Sequence, residues 1–104
     1  MSKFDNVSVI KQANVFFDGK CVSHTVLFPD GKRKTVGVIM PDSQLTFNVG
    51  SPELMEITSG TCHVRLTGET NAKAYTAGMQ FSVPANSRFE IHTQDTVHYV
   101  CSFE

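Results

Sequence analysis

The sequence predicts an all-β fold, a single barrel of about ten short antiparallel strands with no long helix. Apolar and polar residues alternate along most of the chain, which is the period of a strand and not of a helix. Turn-forming residues interrupt this alternation about every eight to twelve positions, the spacing found in sandwiches and barrels. Closure into a barrel would remove the exposed edges that such a sheet otherwise presents.

The predicted strands follow one another with short turns between them. They cover Asn14–Phe17, Lys20–Phe28, Lys34–Met40, Gln44–Val49, Glu53–Thr58, Thr61–Leu66, Lys73–Tyr75, Gln80–Pro84, Phe89–Thr93 and Val97–Phe103. The Pro-Asp-Gly sequence at 29–31 is typical of a turn, because Pro presets one φ angle and Gly accepts a positive one. A loose helical turn is expected near Ser8–Ala13. Residues 1–13 are therefore assigned to an N-terminal segment and residues 14–104 to the barrel domain.

Length and charge limit the function. The chain has 104 residues, about the size of one domain, and its nine basic and ten acidic residues give a net charge of −1. Nucleic acid is not expected as a partner, because the basic footprint of a nucleic-acid-binding protein is missing. No apolar run approaches the roughly 20 residues of a membrane span, and no signal peptide is recognisable. A cytoplasmic protein is expected, with its three cysteines as small buried side chains.

Two stretches of the chain have a distinctive spacing. The first runs from Glu53 to Gly60, with six residues between them, and the second runs from Gly78 through Pro84 to Phe89. They resemble the two sequence motifs of the cupin superfamily, whose fold is a jelly-roll barrel. In that family the Glu, two His upstream of it and a third His in the second motif bind a divalent metal.

Three of these four metal ligands are missing here. The upstream His pair falls within Thr46–Val49, which contains no His, and the third His falls on Phe89, so only Glu53 remains. One carboxylate cannot supply the three protein ligands of a typical catalytic site. The other candidates are out of phase with the predicted interior and are expected on the surface: His63, His92 and His98. The resemblance therefore implies the cupin fold without its metal.

A closer resemblance extends from about Asn14 to Phe103. The segments that carry it are Phe16–Lys20, Arg33–Val38, Pro52–Ile57, Val83–Phe89 and Tyr99–Cys101. Together they resemble the small cupins assigned as pyrimidine/purine nucleoside phosphorylases. The resemblance implies a pentosyltransferase that cleaves several nucleosides with inorganic phosphate as co-substrate, giving free base and ribose 1-phosphate. It also implies a homodimer and no metal or other cofactor.

Glu53 is the first candidate catalytic residue. Alternation places Glu53, Met55 and Ile57 on one face, which the cupin comparison makes the interior. A carboxylate there is costly unless it is paired or hydrogen-bonded. We expect Glu53 to hold ribose hydroxyls or to stabilise a positively charged sugar, and Met55 to line the substrate site. The alternative is a structural ion pair with Arg33 or Lys20.

Basic residues are candidates to bind phosphate. Arg33 is assigned to catalysis and Lys20 to substrate binding, because a guanidinium binds phosphate through two hydrogen bonds and an ammonium acts as a point charge. Lys34 is a weaker candidate, and Arg88 is expected to point outward. The alternative to phosphate binding is that residues 32–34 are simply a run of solvated basic side chains, as most such runs are.

Aromatic residues are candidates to stack on a base, since every base has a π face. Phe89 and Tyr99 are assigned to substrate binding, Phe89 because it replaces an inward-facing ligand and Tyr99 because its hydroxyl can donate a hydrogen bond. Phe47 and Phe81 are interpreted as core residues. Ser82 and Ser87 are weaker hydrogen-bonding candidates.

Three other functions fit the same residues. A non-catalytic cupin that binds a sugar or another small molecule would use the same barrel mouth. A metal-dependent cupin enzyme would need displaced His ligands. A purely structural dimerisation module is the third alternative, and Glu53 disfavours it because such a module needs no interior carboxylate.

Overall fold

The computed structural model describes residues 2–103, which form eleven strands and one short 3-10 turn. The strands are β1 (Ser8–Val9), β2 (Asn14–Phe16), β3 (Cys21–Leu27), β4 (Arg33–Ile39), β5 (Gln44–Val49), β6 (Glu53–Ser59), β7 (Thr61–Leu66), β8 (Lys73–Thr76), β9 (Gln80–Val83), β10 (Ser87–Thr93) and β11 (Val97–Phe103). The 3-10 turn covers Phe17–Gly19, between β2 and β3. No helix within residues 2–103 is long and apolar enough to cross a membrane.

The strands form two antiparallel sheets. The larger has the order β1-β3-β4-β11-β6-β9, with β2 also pairing with β3, and the smaller has the order β5-β10-β7-β8. One cluster of buried apolar residues joins the inner faces of both sheets, from Ile39 and Ile57 on the larger to Val64 and Ile91 on the smaller. The sheets are thus the two walls of one barrel, which confirms the predicted all-β fold.

The predicted strands agree with the structure to within one or two residues at each end. The N-terminal segment is different. The helical turn expected at Ser8–Ala13 is absent from the structure, and Ser8 and Val9 instead pair with Leu27 and Val26 of β3. The larger sheet therefore extends into residues 1–13. A free strand edge offers backbone partners at every second residue, and this tertiary pairing overrides a weak local preference.

Two glycines allow the backbone to approach closely. Gly60, between β6 and β7, has φ +85°, and a Cβ there would lie 2.5 Å from the carbonyl oxygen of Thr96. This contact explains the glycine of the first motif. Gly37 lies between Ser23 of β3 and Tyr99 of β11, and a Cβ there would lie 2.7 Å from the Cβ of Ser23. Its lack of a side chain leaves room for the Tyr99 ring to lie toward β3.

Candidate active site

A cavity of about 280 Å³ opens between the two sheets. This is close to the lower end of the range for small-molecule sites. The larger sheet contributes most of its wall, with inward-facing residues of β2, β3, β4, β6 and β11. The smaller sheet contributes residues of β5 and β10. The lining residues are Asn14, Phe16, Ser23, Thr25, Arg33, Thr35, Ile39, Phe47, Asn48, Glu53, Met55, Phe89, Tyr99, Cys101 and Phe103.

Two opposite charges flank an aromatic ring at one end of the larger sheet. Glu53 of β6 lies opposite Phe103 of β11. On the other side of β11, Ser102 lies opposite Lys34 of β4, so the adjacent residue Arg33 lies beside Phe103. Two strand spacings, about 10 Å, therefore separate the backbones of Arg33 and Glu53. The Arg33 guanidinium lies 4.1 Å from the centre of the Phe103 ring. This cation–π contact holds the guanidinium at the cavity.

Glu53 is half-buried, and the thiol of Cys101 donates a hydrogen bond to its Oε1 at 3.4 Å. Burial raises the pKa of Glu53 above its ordinary value, while the Cys101 hydrogen bond and the positive charge of Arg33 lower it. Among residues 2–103, neither Arg33 nor Lys20 forms an ion pair with this carboxylate. The ion pair expected as the structural alternative for Glu53 is therefore not formed within these residues.

Polar side chains that carry no charge line the β2–β3–β4 side of the cavity. Asn14 Nδ2 donates to Ser23 Oγ at 3.3 Å and to Thr25 Oγ1 at 3.1 Å, and Thr35 lies beside them on β4. The hydroxyl of Tyr99 lies 3.3 Å from Cys21 Sγ. Burial raises the pKa of the Tyr99 hydroxyl, so this group stays protonated and can donate a hydrogen bond.

Aromatic rings form the opposite wall. The rings of Phe47 and Phe89 stack with centres 5.2 Å apart and planes 18° apart. The rings of Phe17 and Phe47 are nearly perpendicular, with centres 5.1 Å apart. Phe89 is buried, whereas Phe47 is half-buried and lines the cavity. The two walls together suit a ligand with a flat apolar ring and a polar, hydroxyl-rich part.

Comparison with known proteins identifies the family. The model of the pyrimidine/purine nucleoside phosphorylase family matches residues 11–103. The chain belongs to this family. Relatives named pyrimidine/purine nucleoside phosphorylase include one from Methylobacillus flagellatus, 67% identical over all of both chains, and one from Cupriavidus taiwanensis, 66% identical over all of this chain and 98% of the relative.

Solved structures show the same fold. A protein of unknown function from an Acinetobacter species is 50% identical, and the match covers 98% of each chain with a TM-score of 0.95. An RmlC-like cupin from Shewanella frigidimarina is 14% identical over 98% of this chain and 86% of its own, with a TM-score of 0.72. The second likeness shows the fold alone, and it confirms the predicted cupin architecture of this nucleoside phosphorylase family member.

The structure brings most of the predicted site residues of this family member together. The following line one cavity: Glu53, Arg33, Met55, Phe89 and Tyr99. Lys20 does not join them, because it is exposed just before β3 and lies outside the lining. Ser82 and Ser87 also lie outside it. Phe81 is a core residue as predicted, but Phe47 both packs against the core and lines the cavity.

Several lining residues were missed in the sequence. Asn14, Thr25, Thr35 and Asn48 are uncharged polar residues on strands, and no motif identifies them. The available signal was phase, since Thr25 and Thr35 share the alternation of their buried neighbours and a polar residue at an inward position needs a partner. That signal becomes specific only once the inner face of each strand is known.

The histidines lie away from the cavity. His63, His92 and His98 are exposed, as their phase predicts, and His24 Nδ1 lies 3.2 Å from the carbonyl oxygen of Ile10. Within residues 2–103, no three His, Cys, Asp or Glu side chains are grouped in a way that could hold a metal ion. Phe89, which stands where the sequence motif has its third His, is buried.

Proposed function

We propose that the protein is a nucleoside phosphorylase that cleaves purine and pyrimidine nucleosides with inorganic phosphate. The observation that carries the proposal is the arrangement of Glu53 and Arg33 on either side of Phe103, facing an aromatic wall across one cavity. Family membership supports it. A carboxylate can accept hydrogen bonds from the sugar hydroxyls, a guanidinium can donate two to phosphate, and aromatic rings can stack on the base.

The reaction breaks the bond between C1′ of the ribose and the base nitrogen and forms a bond from C1′ to a phosphate oxygen. The base nitrogen keeps the electron pair of the broken bond and takes up a proton, and phosphate loses one, so the products are free base and ribose 1-phosphate. Positive charge develops at C1′ and the ring oxygen in the transition state, as in other glycosidic cleavages. A group lowers the barrier when it interacts more strongly with this charged transition state than with the bound substrate.

Glu53 would meet the positive charge that develops on the sugar. Its carboxylate borders the cavity in a partly apolar setting, where an electrostatic interaction is stronger than in water. Cys101 occupies Oε1, which leaves Oε2 for the ribose hydroxyls or the positive sugar. Arg33 would bind phosphate at the same end of the cavity, as a planar donor of two parallel hydrogen bonds.

The same proposal includes metal-independent turnover, a homodimer and a cytoplasmic location. The positions of the cupin metal ligands, occupied here by Thr46–Val49 and Phe89, support the first of these. The family resemblance supports the homodimer, which size-exclusion chromatography with light scattering would test. Nucleosides and phosphate are then the partners, with no further cofactor.

Phosphate-dependent release of base tests the proposed function. Purified protein incubated with uridine or inosine should release uracil or hypoxanthine only when phosphate is present, because phosphate is the nucleophile. The measurement is chromatography of base and of ribose 1-phosphate in equal amounts. Activity should survive a chelator. If the protein binds nucleosides but does not cleave them, it is a non-catalytic binding protein. If a chelator abolishes the activity and iron or zinc restores it, the enzyme is metal-dependent.

The Cys101 thiol should set the acid limb of the pH profile. Its hydrogen bond favours the ionised form of Glu53, so in Cys101→Ala the pKa of Glu53 rises and kcat/KM falls away at a higher pH than in the wild type. Cys101→Ser, which keeps a donor, should restore the wild-type limb. Cys62→Ala is the matched control, since Cys62 is also buried and burial alone, with no carboxylate partner, raises the pKa of its thiol. Identical limbs in Cys101→Ala and wild type would contradict this role.

A further inference from the structure

Phe103 stands in the middle of a row of three side chains that crosses the larger sheet. Glu53 of β6 lies opposite Phe103 on one side, and Arg33 of β4 lies beside it on the other. All three residues line the cavity, so their side chains share the inner face of the sheet. The Phe103 side chain therefore lies between the two opposite charges of the site.

Arg33 contacts this ring and not the carboxylate. The centre of its guanidinium lies 4.1 Å from the centre of the Phe103 ring, and within residues 2–103 it forms no ion pair with Glu53. Both charged side chains are long, and together they can span the two strand spacings, about 10 Å, between their backbones. The positive charge of Arg33 also reaches Glu53, since it lowers the pKa of that carboxyl. The two groups are therefore close enough to interact, and the ring stands where their ion pair would form.

We propose that Phe103 is a positioning residue that keeps Arg33 and Glu53 from forming an ion pair, so that both charges remain free for substrate. This inference rests on the proposed function, in which Arg33 binds phosphate and Glu53 faces the sugar. A cation–π contact uses no hydrogen-bond acceptor, so it leaves the N–H donors of the guanidinium available to phosphate. A carboxylate in contact would take two of these donors in a bidentate pair, and phosphate would have to displace it.

The groups around Glu53 determine how removal of the ring would be detected. Among residues 2–103, two titratable groups act on this carboxyl, the Cys101 thiol of β11 and the Arg33 guanidinium of β4. On its other side, β9 places the apolar Val83 opposite Glu53, and the residues that β5 and β10 contribute to the lining of the described cavity are uncharged. When the ring is removed, contact with Arg33 should favour the ionised carboxylate and lower the pKa of Glu53.

Phe103→Ala should raise the KM for phosphate at least about tenfold, the lower end for a lost hydrogen bond to a charged group. It should also move the acid limb of kcat/KM to lower pH, the direction opposite to that of Cys101→Ala, because Glu53 in an ion pair gives up its proton more readily. Phe103→Tyr, which keeps the ring, should restore both values. A loss of packing alone would lower the activity at every pH without moving the limb.

A double-mutant cycle isolates the part played by Arg33. In an Arg33→Met background the guanidinium is absent, so Phe103→Ala should no longer shift the pKa of Glu53. Carboxyl-carbon NMR across a pH titration measures this pKa without any turnover. Phe103→Leu, which keeps an apolar side chain but has no π face, repeats the test if the alanine variant does not fold.

Phe28→Ala is the matched control, since it removes a ring that contacts a cation, Lys34, outside the cavity. It should leave the phosphate KM and the pKa of Glu53 at their wild-type values. An unchanged pKa of Glu53 in Phe103→Ala, or an equal fall in the Arg33→Met background, overturns the inference. Absence of phosphorolysis in the wild type would refute the proposed function instead, and the NMR pKa values would still decide the role of Phe103.

Discussion

Glu53→Gln should lower kcat/KM for uridine and inosine by about 10² to 10³, the loss typical of removing one group that stabilises charge in the transition state. The amide has the shape of the carboxylate and can still accept from Cys101 through its oxygen, so the geometry of the cavity is retained. What it lacks is the negative charge that meets the positive sugar. Steady-state kinetics with saturating phosphate measures the effect.

The stability of this variant should not fall, because burial makes the negative charge of Glu53 costly in the folded protein. Burial raises the pKa of Glu53 in the folded state, so the folded protein holds this proton more tightly than the unfolded chain does. The contribution of Glu53 to stability is then greatest below its unfolded pKa and is lost as pH rises through the folded value. At neutral pH, Glu53→Gln should unfold at the same temperature as wild type or slightly higher.

The matched control is Glu56→Gln. Glu56 lies three residues further along β6, is exposed, and faces away from the cavity because alternate residues of a strand point to opposite sides. It should keep wild-type activity. Full activity in Glu53→Gln would show that the charge of Glu53 is not needed for catalysis. If the variant instead unfolds while its folded fraction keeps full activity, the role of Glu53 is structural.

Arg33→Met should raise the KM for phosphate by about 10- to 150-fold, the range for losing a hydrogen bond to a charged group. Methionine keeps an unbranched apolar side chain against the Phe103 ring, so the packing at this end of the cavity changes little. The affinity for nucleoside should change far less than that for phosphate. Initial rates measured across a matrix of phosphate and uridine concentrations separate the two.

Lys32→Met is the control for the loss of a positive charge. Lys32 lies one residue before Arg33, in the turn preceding β4, and is exposed outside the cavity. A general electrostatic attraction of phosphate would make the two variants alike and would disappear at high salt. A specific site makes Arg33→Met alone defective at every salt concentration. Equal phosphate KM values in Arg33→Met and wild type would exclude Arg33 as the phosphate ligand.

Much of this site follows from strand phase. Alternation places Glu53 and Met55 on one face, the cupin resemblance makes that face the interior, and both residues line the cavity in the structure. Lys20 shows the limit of such reasoning. It was chosen for its charge, but Cys21 and not Lys20 begins the inward phase of β3. A single residue at the boundary of a strand has no pattern on both sides to fix its direction.

The sequence by itself determined the class of fold, the strand positions and the loss of three cupin ligands, since each depends on local pattern or residue identity. Only the tertiary structure brought Asn14 onto Ser23 and Thr25, placed Arg33 and Glu53 on opposite sides of Phe103, and turned Phe47 toward a cavity. These relations depend on strand order and register. Both are fixed by long-range pairing and by the packing of two sheets, which no local pattern encodes.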